Sequence, residues 1–239
     1  MKTAKSLLLF TKTTLCYHLN MTNKNKFVAL IVLDFLTFLS MVIGITFSMM
    51  DVRFMVDLPR LSSLPILMTF TGLSNLFMGL VCLACALSRF IKKDITLSKP
   101  LFLLKIIALA EITITLVITA TYLSPSLGSS WWRLYINNNI FNHLLTPFLA
   151  IVTFVIFEQY VEIDFKYLFF SLIPISAYGI FYIINVYTHL TTEGKTDLAY
   201  DIYGFARFGV FVLILFLIAF LGISFALTFL YRLLKKQKD

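Results

Sequence analysis

Six stretches of this chain are apolar over enough residues to cross a bilayer, and most charged positions fall between them. A helix needs about 20 apolar residues to span the hydrocarbon core. The stretches are Phe27–Met50, Leu64–Ser88, Leu101–Leu123, Asn139–Phe157, Tyr167–Leu190 and Phe208–Tyr231. Strands of a membrane barrel alternate over about ten residues, and these runs are longer and more uniformly apolar. The pattern predicts an all-α polytopic membrane protein, a bundle of six transmembrane helices. Residues 1–26 form a basic N-terminal tail, 27–231 the membrane domain and 232–239 a basic C-terminal tail. No link between the runs is long enough to hold a second domain.

Composition supports this reading. Hydrophobic residues make up 59% and charged residues 13%, whereas a soluble domain carries about 25% charged residues. The mean hydropathy is +0.90. The formal charge of +8 does not point to nucleic acid. The basic residues sit in short segments between apolar runs, and no basic soluble domain is present to bind it.

Their distribution gives a direction instead. The two tails and the links on their side carry 14 Lys and Arg, Arg89 among them, and the links on the other side carry 5. The positive-inside rule then places both termini in the cytoplasm. Lys105, just inside the third run, is expected to snorkel to that surface. Trp131, Trp132 and Tyr135 fall at the outer interface, where amphipathic rings prefer to lie. The excess of Lys over Arg, with abundant Phe, Ile and Asn, fits an AT-rich bacterial genome and hence a bacterial plasma membrane. The first apolar stretch, Leu7 to Phe10, is shorter than the apolar core of a signal peptide.

Cys16, Cys82 and Cys85 all fall in segments read as cytoplasmic or intramembrane, so no disulfide is expected. Cys82 and Cys85 read as small residues packing between helices. No metal-ligand set is visible and no cofactor is implied.

Polar residues within the runs carry the candidate chemistry, because each is costly in hydrocarbon unless it finds a partner. In the second run, Thr71 and Asn75 share a helix face, with Ser74 beside them. The fourth run opens with Asn137, Asn138 and Asn139, then Asn142 and His143, then Thr146 and Pro147. Asn139, His143 and Pro147 recur every four residues, and Pro147 frees the backbone carbonyl of His143. Counted from the start of each run, Thr71 lies roughly 10 Å and His143 roughly 6 Å below the outer end. The two can meet if their helices are neighbours. Asn185 and His189 lie toward the same outer side. Such residues also serve as interhelical hydrogen-bonding glue, and both readings stand at this point. Two intramembrane acids, Asp34 and Glu111, have no basic residue three or four positions on, which leaves them either protonated or bonded to polar groups on other helices.

These residues give a resemblance. The chain resembles the androgen-induced, FAR-type family of six-span membrane proteins, and its bacterial branch in particular. The stretch Phe70-Thr71-Gly72-Leu73-Ser74-Asn75 looks like one motif of that family. Asn142-His143 followed by Pro147 looks like the other. The resemblance implies a threonine–histidine fatty acid ester hydrolase, with Thr71 as nucleophile and His143 as general base. Animal members carry an acid near the position of Ser74 and a second histidine near that of His143, and both are absent here.

Three functional readings follow. The first is an intramembrane lipid-ester hydrolase or acyltransferase, with membrane lipids or lipid esters as partners. In it Thr71 and His143 do the chemistry, while Ser74, Asn75, Asn142, Thr146, Asn185 and His189 bind substrate or stabilise the oxyanion. The second is a small transporter or channel using Asp34 and Glu111. The third is a non-catalytic membrane scaffold.

Overall fold

The computed structural model describes residues 22–51, 65–191, 194, 196, 197, 199–201 and 203–236, apart from the side chain of residue 207. The N-terminal tail before residue 22, with Lys2, Lys5, Lys12 and Cys16, lies outside the described residues. So do Arg53, Arg60, Leu64, Lys195, Lys238 and the Arg207 side chain.

Among the described residues, six apolar helices make up the fold. They are α1 (Asn23–Met49), α2 (Phe70–Lys92), α3 (Lys99–Ser126), α4 (Phe141–Phe157), α5 (Phe165–Thr188) and α6 (Val210–Lys236). Five of them, all but α4, are long and apolar enough to cross a membrane. The expected count of six is therefore met only in part. At 1.5 Å per residue, the 17 residues of α4 rise about 25 Å, less than the ~30 Å hydrocarbon core. Local chemistry explains its length. Asn137 adopts a left-handed backbone with φ 54°. The Asn138 amide donates to Ser48 and the Asn139 amide to the Arg133 carbonyl, which ties down the entry to the helix. At the far end, Glu158 turns extended.

The second run also starts later than its hydropathy suggests. Pro65 and a single 3₁₀ turn, Ile66–Met68, precede α2. Thr69 caps the helix, its hydroxyl accepting from the Gly72 N–H at 3.0 Å. Thr71 thus sits in the first turn of α2, not two turns inside a helix beginning at Leu64.

The central element is α3, buried without a break from Lys105 to Thr115. It packs against α2, α4 and α6, while α1 lies along α2 and α4, and α5 pairs with α6. Small and hydroxyl residues bring α1 close to α4. Ser40 lies 2.7 Å from the Thr146 hydroxyl, and Ser48 accepts from the Asn142 amide at 2.9 Å. Between them, a Cβ added to Gly44 would meet Asn142 Oδ1 at 2.6 Å and Phe141 Cβ at 2.7 Å. Gly44→Ala should therefore destabilise the fold by about 1–3 kcal/mol through overpacking. Thermal unfolding in detergent checks this, and an unchanged Tm would show that the two helices can part freely. Cys82 and Cys85 are fully buried in the main apolar cluster.

Two helices open into wider π-helical turns. In α3 the turn covers Thr119–Leu123, where the Ser124 N–H reaches back to the Thr119 carbonyl. In α4 one such turn covers Phe141–Leu145, where the Thr146 N–H reaches Phe141, and another covers Thr153–Phe157 at the far end. Pro125 and Pro147 follow and lack the N–H that regular turns would use. Single π turns of this kind recur at functional sites.

Candidate functional site

Polar groups gather at two ends of the bundle. One end carries the basic residues Lys92, Lys93, Lys99, Lys166 and Arg232. Inside this end lies a buried ionic cluster of four side chains. Lys105 donates to Asp34 at 2.7 Å and to Glu158 at 2.6 Å. The Arg89 guanidinium donates to Asp34 at 2.5 Å and also pairs with Glu158. All four side chains are fully buried. Burial by itself would raise the Glu158 carboxyl, but the Lys105 and Arg89 charges outweigh it and hold it below the usual range. The cluster joins α1, α2 and α3 to the residue just past α4.

This corrects two expectations. Lys105 does not snorkel to the surface, and Arg89 is not a solvated link residue; both neutralise buried acids. Asp34 finds its cations on other helices and forms part of a balanced lock. Nearby, Lys235 of α6 donates to the Val155 and Glu158 carbonyls, which places a cation at the carbonyl end of α4.

Glu111 is separate. It is 1% exposed, and one of its oxygens lies 2.7 Å from the Ser224 hydroxyl. Its other oxygen has no hydrogen-bond partner among the described residues. Among the described residues no hydrogen bond joins it to Asp34.

At the opposite end lies a partly open cavity of about 70 Å³. Its walls come from α2, α3, α5, α6 and the segment 203–205, and they are almost wholly apolar. The hydroxyls of Thr71, Thr115, Thr119, Tyr178, Tyr182 and Tyr203 belong to lining residues.

Thr71 and Thr119 are brought to one level by a hydrogen bond below them. Ser74 and Thr115 hydroxyls lie 2.7 Å apart. Thr71 is three residues before Ser74 and Thr119 four residues after Thr115, and the two helices run in opposite directions. One turn toward the cavity end, the two threonines therefore face the same space from neighbouring helices. His143 then meets Thr119, not Thr71. The Thr119 hydroxyl lies 2.9 Å from His143 Nδ1, and each residue sits in a π turn. No hydrogen bond joins Thr71 to His143 among the described residues.

The other expected site residues serve different contacts. The Asn75 amide donates to the Thr71 carbonyl at 2.7 Å and the Asn142 carbonyl at 2.9 Å, tying α2 to α4. The Asn142 amide donates to Ser48 and Gly44 on α1. Both amide groups are thus committed to the fold, and neither is free to hold an oxyanion. Thr146 pairs with Ser40. His189 donates from Nδ1 to the Asn185 carbonyl at 2.8 Å and stacks on Tyr200 at 4.0 Å. None of Ser74, Asn75, Asn142, Thr146, Asn185 and His189 lines the cavity.

Sequence reasoning missed Thr119 and Tyr203. Tyr203 projects from the link between α5 and α6 onto the start of α2. Its hydroxyl accepts from the Phe70 N–H at 3.0 Å. Burial pushes this hydroxyl above the usual phenol range, so it is a neutral O–H at any physiological pH. The link is pinned on both sides. Tyr122 donates to the Tyr203 carbonyl at 3.1 Å, and Asp201 accepts from the Tyr182 hydroxyl and from the Ala206 N–H.

No family model matches this chain, and no curated protein or solved structure matches it.

Proposed function

We propose that this is a six-span membrane hydrolase or acyltransferase acting on lipid esters, with both termini in the cytoplasm of a bacterial cell. The observation that carries the reading is the Thr119–His143 hydrogen bond at the wall of an apolar cavity. A hydroxyl on a basic nitrogen is an activated nucleophile when an acyl carbonyl can reach it. The cavity is suited to an acyl chain, which would enter from the bilayer.

In this reading the Thr119 oxygen attacks the ester carbonyl carbon while His143 takes its proton. The tetrahedral intermediate collapses, the C–O bond to the leaving alcohol breaks, and His143 returns the proton to that oxygen. An acyl-threonine remains. Water, or a second hydroxyl in the acyltransferase case, then gives its proton to His143 and attacks, releasing the acyl group and restoring Thr119.

Resemblance to the FAR-type family assigns the attack to Thr71 instead. One observation favours keeping that variant: Thr71 lines the same cavity from the first turn of a helix. The two versions separate by experiment. Reconstituted protein is given a panel of long-chain lipid esters, and fatty acid release is followed for wild type, Thr119→Ala and Thr71→Ala. Thr119→Ala should lose release by about a hundredfold or more, with a smaller loss in Thr71→Ala. Equal release from all three proteins would end the hydrolase reading.

A further inference from the structure

Three helices build a polar layer one turn below the cavity. Glu111 of α3, Ser171 of α5 and Ser224 of α6 each lie four residues from a cavity-lining residue, Thr115, Ile175 and Phe220 in turn, and so share one level. All three are at most 1% exposed. The Ser224 Oγ lies 2.7 Å from Glu111 Oε1 and 3.0 Å from the Ser171 carbonyl oxygen. A hydroxyl has one hydrogen to give. Both contacts are full hydrogen bonds only if Glu111 supplies a second hydrogen. Glu111 then donates to Ser224, and Ser224 donates to the Ser171 carbonyl. The surroundings favour this arrangement. Glu111 Oε2 and Ser171 Oγ have no hydrogen-bond partner among the described residues. A carboxylate left in that state costs far more than a neutral acid. The titratable groups on the helices packed around α3 are engaged elsewhere. Arg89 and Lys105 hold Asp34 and Glu158. His143 lies against Thr119, Tyr231 against Thr113, and Lys235 against the end of α4. Tyr178 lines the cavity, and Cys82 and Cys85 pack in the apolar cluster.

We infer that Glu111 is a proton-binding site, and that its proton ties α6 to α5 beneath the cavity. With the proton bound, the chain of hydrogen bonds runs from Glu111 through Ser224 to the Ser171 carbonyl. As pH rises the Glu111 O–H bond breaks and the proton passes to water. The single Ser224 hydrogen then turns to the carboxylate, and the Ser171 carbonyl loses its donor. The α5 and α6 walls of the cavity lose the bond that joins them one turn below. The lipid-ester reading is not needed for this step.

The test is infrared spectroscopy of the full chain in detergent at neutral pH, wild type minus Glu111→Gln. A carbonyl band of a neutral carboxylic acid is expected in wild type and lost in the variant. Asp34 and Glu158, held as ion pairs, do not contribute to it. Ser224→Ala removes the acceptor and should move the band to the position of an acid with no hydrogen bond. Absence of the band, or a band indifferent to Ser224→Ala, overturns the inference. If Glu111→Gln does not fold, the comparison of wild type with Ser224→Ala decides alone. Thermal unfolding gives the sign of the pH response. A carboxyl that keeps its proton when folded and gives it up when unfolded makes stability fall as pH rises. From weakly acid to neutral pH, the wild-type Tm should therefore fall relative to that of Glu111→Gln, and parallel curves overturn the inference. Neither measurement reads fatty acid release, so failure here and failure of the lipid-ester reading are separate results.

Discussion

Replacing Lys105 with Met should cost the folded protein about 3–5 kcal/mol. The four charges at the basic end balance only as a set: Lys105 and Arg89 each touch both Asp34 and Glu158. Removal of one cation leaves two carboxylates sharing a single guanidinium, with no water to take up the excess. The cost is that of an uncompensated buried charge, which exceeds the net value of the intact pair. The double variant Lys105→Met with Asp34→Asn restores neutrality, and most of the loss should return. Thermal unfolding in detergent measures both. A single variant with unchanged Tm, or a double variant no better than the single, would show that the cluster is not a balanced lock. The pH dependence has a definite sign. The Glu158 carboxyl is held below its ordinary value near 4.5 by its cations. Its contribution is therefore complete above that value and is lost as pH falls through the lower folded value.

His143→Gln should lower fatty acid release by about 10² to 10⁴ while the protein stays folded. That range is the usual worth of a positioned general base. Gln is the informative choice because its side chain can still hydrogen-bond to Thr119 but cannot take up a proton. His143→Ala would strip Thr119 of its partner and add about 1–3 kcal/mol of unsatisfied-group cost, mixing a folding defect with a catalytic one. Release at the wild-type rate from a well-folded His143→Gln protein would mean that the Thr119 contact is only interhelical glue.

The helices were legible as apolar runs because hydrocarbon length sets a simple count. What the count could not see was local. Asn137, just ahead of the fourth run, turns left-handed, and the Asn138 and Asn139 amides tie this entry to Ser48 and to the Arg133 carbonyl. Thr69 read as part of an apolar run, but it caps α2 and moves Thr71 to the first turn. The ionic cluster was unreadable for a different reason. Asp34 is 55 residues from Arg89 and 71 from Lys105, so no rule of helical spacing pairs them. Seen alone, each cation looked like a surface residue. Thr119 was hidden among Thr113, Thr115 and Thr121, with nothing in its immediate neighbours to mark it. A faint signal existed: Pro125 follows Thr119 much as Pro147 follows His143, and both prolines accompany π turns. The polar residues of α2 and α4 lie at the end of the bundle that holds the cavity. They marked its glue more than its cavity, because buried hydroxyls and amides look alike in sequence whether they hold helices together or face a ligand.

The central claim, that Thr119 forms the covalent bond to an acyl group at this cavity, has one direct measurement. Reconstituted protein is mixed with a long-chain lipid ester, quenched in acid within the first turnovers and digested, and the peptides are weighed by mass spectrometry. The account predicts an acyl mass increment on the peptide carrying Thr119, absent in His143→Gln. An increment on the Thr71 peptide, or none on either while fatty acid is released, would contradict it.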